Sequence, residues 1–243
     1  MSEDSLVLIA KCPRMGISKT RLIACFGEEA TFQLARAMLL DLLRRFGSSA
    51  ELRSLRRVLV YAPPEARDEA AKLVREAGVE HEWVLTPVAG GTKLKDADLT
   101  AILKDALEGT REEGTTGTVV FVGMDTPHLP SFEIIEACRK GAEDVALVCP
   151  ANDGGYTLLG VPRNAPAKIF DGVLWSSPKT CETQVTRLRE CGISVMIGAT
   201  YEDLDTAEDV HSWHRTATAT SAAAHICPLT LEAAAAALRA ARA

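Results

Sequence analysis

Short runs of apolar residues, almost unbroken by polar ones, alternate along this chain with longer stretches that carry apolar residues at helical spacing. A strand that is apolar at consecutive positions offers no face to water and must be covered on both sides. The runs are SLVLIA (5–10), RVLVYA (57–62), a short one at 81–85, TVVFV (118–122), DVALVC (144–149), YTLLGV (156–161) and 193–198. Helices are expected between and after them, over 28–46, 64–77, 96–113, 131–140, 178–191 and 206–214. Ser131 and Ser177 stand as N-caps, with Pro178 at a first helical position. This alternation predicts an α/β fold with a mostly parallel central sheet and helices on both faces.

A chain of 243 residues is long enough for one substantial core, here expected over residues 1–215. After His214 the sequence turns to RTATATSAAAHICP and then to an Ala-rich stretch, 229–243. With few large side chains to pack, residues 216–243 read as a linker and an appended helix rather than an oligomer contact. The oligomeric state is left open.

Charge narrows the partners. The formal net charge is -6, which gives neither the basic footprint of a non-specific nucleic-acid binder nor attraction to an anionic membrane. A polyphosphate on such a protein needs a local basic loop or a divalent cation. The opening MSEDSLVLIAKCP lacks a basic region and does not read as a secretory signal. No apolar stretch approaches the roughly 20 residues that a membrane helix needs. The seven cysteines are scattered, with no C-x-x-C pair. Free thiols in a reducing, cytoplasmic compartment are therefore expected.

In open α/β sheets, ligands bind beyond the carboxyl ends of the strands, so the loops there carry the chemistry. The first, KCPRMGISKTRL (11–22), is neither a Walker A loop nor a G-x-G-x-x-G turn. It still brings Lys11, Arg14, Lys19 and Arg21 to the start of a helix, where free N–H groups favour anions. A solvated basic turn is the alternative. The second loop sets Asp125 just past TVVFV, in the position of a Mg2+ ligand or of an Asp that closes its own turn; His128 nearby reads as a surface residue. The third, Asn152-Asp153-Gly154-Gly155, is strong hairpin chemistry that also directs Asp153 to the crevice. The last is Glu202-Asp203-Leu204-Asp205: Asp205 with Glu208 fits a capping box, which leaves Asp203 for the metal.

Taken together, KCPRMGISKTRL, VGMDTPHL, CPANDGGYTLLG, FDGVLWSSPKT and DLDTAEDV resemble the GT-A-like transferases of the nucleotide-diphospho-sugar transferase superfamily, the radical-SAM/selenodomain-associated group. The opening loop is also similar to that of the phospholactate and molybdenum-cofactor guanylyltransferases. The resemblance runs in order from about Leu6 to Trp213; residues 48–56 and the tail lie outside it. It implies a Rossmann-like GT-A fold and dependence on Mg2+ or Mn2+. It places nucleotide and phosphate contacts at Pro13, Gly16, Lys19 and Arg21, with Lys11 beside them, and the metal at Asp125. Asp153, Gly154, Gly155 and Tyr156 would shape the donor or acceptor pocket, which Trp175 and Ser176 would close. A Gly-Asp-Leu-Gly segment of such proteins is replaced here by GGTKLKDADLTAIL, where Gly90, Gly91 and Asp98 take its place. The expected activity is glycosyl transfer from a nucleotide-sugar to a small-molecule acceptor, with Asp153 as base. Nucleotidyl transfer from an NTP uses the same lysine and metal, and a non-catalytic nucleotide-binding module is the remaining alternative.

Overall fold

The computed structural model describes residues 4–88, 99–220 and 225–241. Side chains of the first strand, β1 (Ser5–Lys11), go alternately to opposite sides: Leu6, Leu8 and Ala10 enter one core and Val7 another. β2 (Arg56–Ala62) and then β3 (Trp83–Pro87) follow in parallel on one side of β1, and β4 (Val119–Gly123) pairs in parallel on its other side. With β5 (Val145–Pro150), β6 (Tyr156–Val161) and β7 (Ser194–Ile197), the sheet order is β3-β2-β1-β4-β6-β5-β7. Only β6 runs against its neighbours, because the short 151–155 turn folds it back on β5 and it then inserts beside β4. The hairpin alternative for the Asn-Asp-Gly-Gly segment is thus realised inside a mostly parallel sheet.

Helices α1 (Thr20–Phe26), α2 (Glu28–Ser48), α3 (Arg67–Glu76), α4 (Leu99–Glu112), α5 (Ser131–Ala142), α6 (Thr180–Glu190), α7 (Ala207–Thr220) and α8 (Pro228–Ala240) complete the fold. The first core holds Leu39 and Leu43 of α2, Leu73 of α3 and Ile134 of α5; the second holds Leu103 of α4 and Leu188 of α6. Two expected caps differ. Ser131 lies inside α5 behind Pro130 and makes no capping bond. α6 begins at Thr180, after a turn in which the Ser177 hydroxyl still accepts the Lys179 N–H (3.2 Å) and the Ser177 N–H donates to the Thr180 hydroxyl (3.3 Å).

The tail is not an appendage. α7 runs on to Thr220, through the segment expected to be linker, and α8 packs along α2. Leu22, Leu34, Met38, Trp213, Ala234 and Ala237 close a third core there. Alanine lets two helix backbones approach closely, and Cys227, Leu231 and Leu238 of the tail add apolar contact to this core. Asp41 of α2, itself buried, caps α8: it accepts the Thr230 N–H at 2.7 Å, the Thr230 hydroxyl at 2.8 Å and the Leu229 N–H at 3.3 Å. No helix among the described residues is long and apolar enough to cross a membrane. All seven cysteines are free.

Candidate functional site

The strand order reverses between β1 and β4, and the loops that leave these two strands meet there. Lys19 precedes α1 in the left-handed conformation (φ 51°), a costly one for a residue with a side chain. Its ammonium lies 2.5 Å from Asp125 Oδ1 and 2.6 Å from Asp205 Oδ1, and donates to the Leu204 carbonyl at 3.0 Å. Three acceptors match the three ammonium protons, and the side chain is only 8% exposed. Burial by itself lowers the Lys19 pKa, but the charges of Asp125 and Asp205 outweigh it and hold the group protonated. The expected phosphate contact is therefore already committed to carboxylates.

Two further aspartates join Asp125 and Asp205 in the cleft. Asp125 follows β4, Asp153 sits in the β5–β6 turn, and Asp203 and Asp205 follow β7; all four line one cleft. The Leu204 N–H donates to the Asp125 carbonyl at 2.9 Å, which ties the β4 loop to the β7 loop. The Thr126 hydroxyl bonds to Asp203. Burial pushes the Asp203 carboxyl up to about 7, helped by Asp125, Asp153 and Asp205 and opposed by the Thr126 hydroxyl. Asp205 differs from expectation. The cap of α7 is instead reciprocal between Thr206 and Asp209: the Thr206 N–H donates to Asp209 Oδ2 (2.7 Å) and the Asp209 N–H to the Thr206 hydroxyl (3.2 Å). That frees Asp205 for Lys19, with Arg21 at 3.7 Å. Burial raises the Asp205 pKa, and Lys19, Arg21 and Lys11 more than reverse this.

The cleft encloses about 500 Å³ and gathers most of the residues that the motifs single out: Lys11, Lys19, Arg21, Asp125, Asp153, Gly155, Tyr156, Trp175, Ser176 and Asp203. Gly91 and Asp98, with Gly90, lie outside the described residues. Pro13, Gly16 and Gly154 do not line it. Pro13 is buried, and Gly16 (φ +71°) turns the loop on the exposed side. At Gly154 a Cβ would come within 2.2 Å of the Pro178 carbonyl, so this glycine permits packing of the hairpin on the segment before α6. Arg14 is drawn away by Glu69 of α3, with contacts of 2.7 and 2.8 Å.

Part of the lining is apolar. Ile9, Leu99, Leu103 and Phe121 join Tyr156 and Trp175. The two rings meet edge-on at 6.3 Å, and the Trp175 indole N–H donates to the Thr100 hydroxyl at 2.7 Å. Sequence reasoning missed this wall because its members come from β1, α4 and β4 and share no motif. His128 is not at the surface. It packs between Tyr201 and Trp213, and burial, with Arg45 nearby, lowers its pKa to about 4.

The cleft thus combines hard carboxylate oxygens, two of them paired with a buried lysine, with apolar surface. Among the described residues no three His, Cys, Asp or Glu side chains enclose an ion by themselves. Mg2+ does not require such a cage, since it commonly takes one or two carboxylates and completes its shell with water and substrate phosphates.

The model of the family described as "Uncharacterized protein conserved in bacteria (DUF2064)" matches residues 46–177. A candidate nucleotide-diphospho-sugar transferase from Desulfovibrio desulfuricans superposes over 100% of this chain and 98% of its own, at TM-score 0.84 and 22% identity. A cytidylyltransferase from Leptospira borgpetersenii aligns over 90% of this chain and 88% of its own (TM-score 0.53, 13% identity). A CMP:2-keto-3-deoxy-manno-octonic acid synthetase complexed with CTP aligns over 90% and 100% (TM-score 0.53, 11% identity). At these identities the likeness is one of fold, and the fold is the GT-A-like one that the motifs imply. No curated protein sequence matches the chain.

Proposed function

Starting from the DUF2064 family, to which this chain belongs, we propose that the protein is a metal-dependent glycosyltransferase that uses a nucleotide-diphospho-sugar donor. The observation that carries this reading is the convergence of Asp125, Asp153, Asp203 and Asp205 on one cleft at the switch point of the sheet, where buried Lys19 pairs with Asp125 and Asp205 alone. Negative charge is left over there, and Asp203, pushed up to about 7 by burial and its neighbours, has no ion-pair partner among the described residues. The donor set fits Mg2+ or Mn2+, held by Asp125 and Asp203. Such an ion, when bound, neutralises charge on the leaving nucleoside diphosphate. Lys19 keeps the Asp125 and Asp205 loops together and supplies positive charge beside the same phosphates. Lys11 and the exposed Arg21, which keeps only a long 3.7 Å pair with Asp205, contact the phosphates directly. Asp153 takes the proton of the acceptor hydroxyl. Tyr156, Trp175 and Ser176 close the acceptor side and exclude water.

A second reading, nucleotidyl transfer, is favoured by the fold shared with the cytidylyltransferase and the CTP-bound synthetase. Product analysis separates the two. Nucleoside diphosphate released from a nucleotide-sugar in the presence of Mn2+ supports the glycosyltransferase, and pyrophosphate released from an NTP with a phosphorylated acceptor supports the second reading. Metal-independent nucleotide binding without turnover of either substrate overturns both and leaves a binding module.

A further inference from the structure

On the far side of α7 from the third core, α7 and α8 form a groove of about 360 Å³ that shares no lining residue with the cleft. His211, His214 and Arg215 reach it from α7 and Arg239 from α8, with Thr218 beside them and Leu238 as apolar floor. Residues three and four apart share one helix face. That is the relation of His211 to His214 and Arg215, and of His214 to Thr218. No carboxylate lines the groove. None of the four basic side chains has an ion-pair partner among the described residues. In a chain of net charge -6, this is a local concentration of positive charge that nothing in the fold offsets.

We propose that this groove is a second binding site, separate from the cleft, for a small phosphate-bearing anion. Two guanidiniums from different helices offer forked N–H donors that match phosphate oxygens, and the imidazoles and the Thr218 hydroxyl add further donors. A histidine pair at this spacing would also suit a transition metal, but two uncompensated guanidiniums beside it repel a cation. The groups sense one another: burial holds the His214 pKa down, and His211 and Arg239 lower it further. A bound anion removes that mutual repulsion.

The test follows the imidazole resonances of the five histidines (His81, His128, His211, His214 and His225) by NMR in the full chain. Inorganic phosphate is titrated at fixed pH and ionic strength, with chloride as the control. Saturable shifts are expected at His211 and His214, with His81 unmoved. The double variant Arg215→Ala/Arg239→Ala should weaken the apparent Kd by roughly tenfold or more and leave the His81 and His128 signals in place. Arg215→Gln/Arg239→Gln repeats the measurement should the alanine variant unfold. In Asp125→Asn the groove should respond as in the parent, which separates it from phosphate in the cleft. Equal shifts with chloride, undiminished binding by the folded double variant, or saturation by Zn2+ and not by phosphate would each overturn the proposal.

Discussion

One buried aspartate at the α2–α8 interface and four aspartates in the cleft are treated by the fold in opposite ways. At the α2–α8 interface, Asp41 meets two backbone N–H groups and a hydroxyl from residues 229 and 230. Burial still raises its pKa, with those hydrogen bonds acting against it, but its acceptors are satisfied within the chain. In the cleft, four carboxylates lie together with one buried lysine, which pairs with Asp125 and Asp205. The first arrangement is complete and holds two helices together. The second carries more negative than positive charge. On the proposed function, a metal ion and a phosphate ligand would complete it.

The contrast can be broken most directly at Asp125. With Asp125→Asn, turnover is expected to fall by on the order of 100-fold or more, the scale of losing a group that stabilises transition-state charge. Thermal unfolding should move little, because Lys19 keeps Asp205 and the Leu204 carbonyl. Steady-state rates with Mn2+ alongside a melting curve check both halves, and parental turnover would remove the metal role. Asp41→Ala should do the reverse. Loss of the α8 cap is expected to cost about 2 kcal/mol, read by chemical denaturation, with turnover per folded molecule unchanged. A variant that loses activity while keeping its stability would merge the two classes.

His128 sharpens the boundary between the two regions, since it packs between Tyr201, near the cleft, and Trp213 of the third core. Its pKa falls from 6.5 to about 4 on folding. Between those values the unfolded chain binds a proton that the native protein does not, so stability drops as pH falls from about 6.5 to about 4. One such proton gives a slope of up to about 1.4 kcal/mol per pH unit. The difference in that slope between the parent and His128→Asn, from denaturation curves across this range, measures it. Identical slopes would show that His128 titrates alike in both states.

Much of the fold was legible because its signals are local. The apolar runs of β1, β4, β5 and β6 and the helical spacing of α2 need only a few consecutive residues to declare themselves. Lys19, Asp125, Asp153 and Asp203 could be picked out because each follows a strand, and the crevice of an open α/β sheet lies there. Asp205 was misread for an equally local reason. Asp205 with Glu208 and Thr206 with Asp209 both have capping-box spacing, and the choice went to Thr206 once Lys19 claimed Asp205. The Ala-rich tail looked unable to pack because its partner surface lies on α2, far away along the chain.

The sequence by itself determined the alternation of strands and helices, the loops that bear charge and the acidic balance, all of which depend on neighbouring residues. Only the tertiary structure decided that one lysine would neutralise carboxylates from two other loops, that Gly154 would face Pro178 rather than a ligand, and that α8 would close a core. Those outcomes depend on contacts between segments that are not neighbours along the chain, where Coulomb energy and steric exclusion act through space and leave no local sequence pattern.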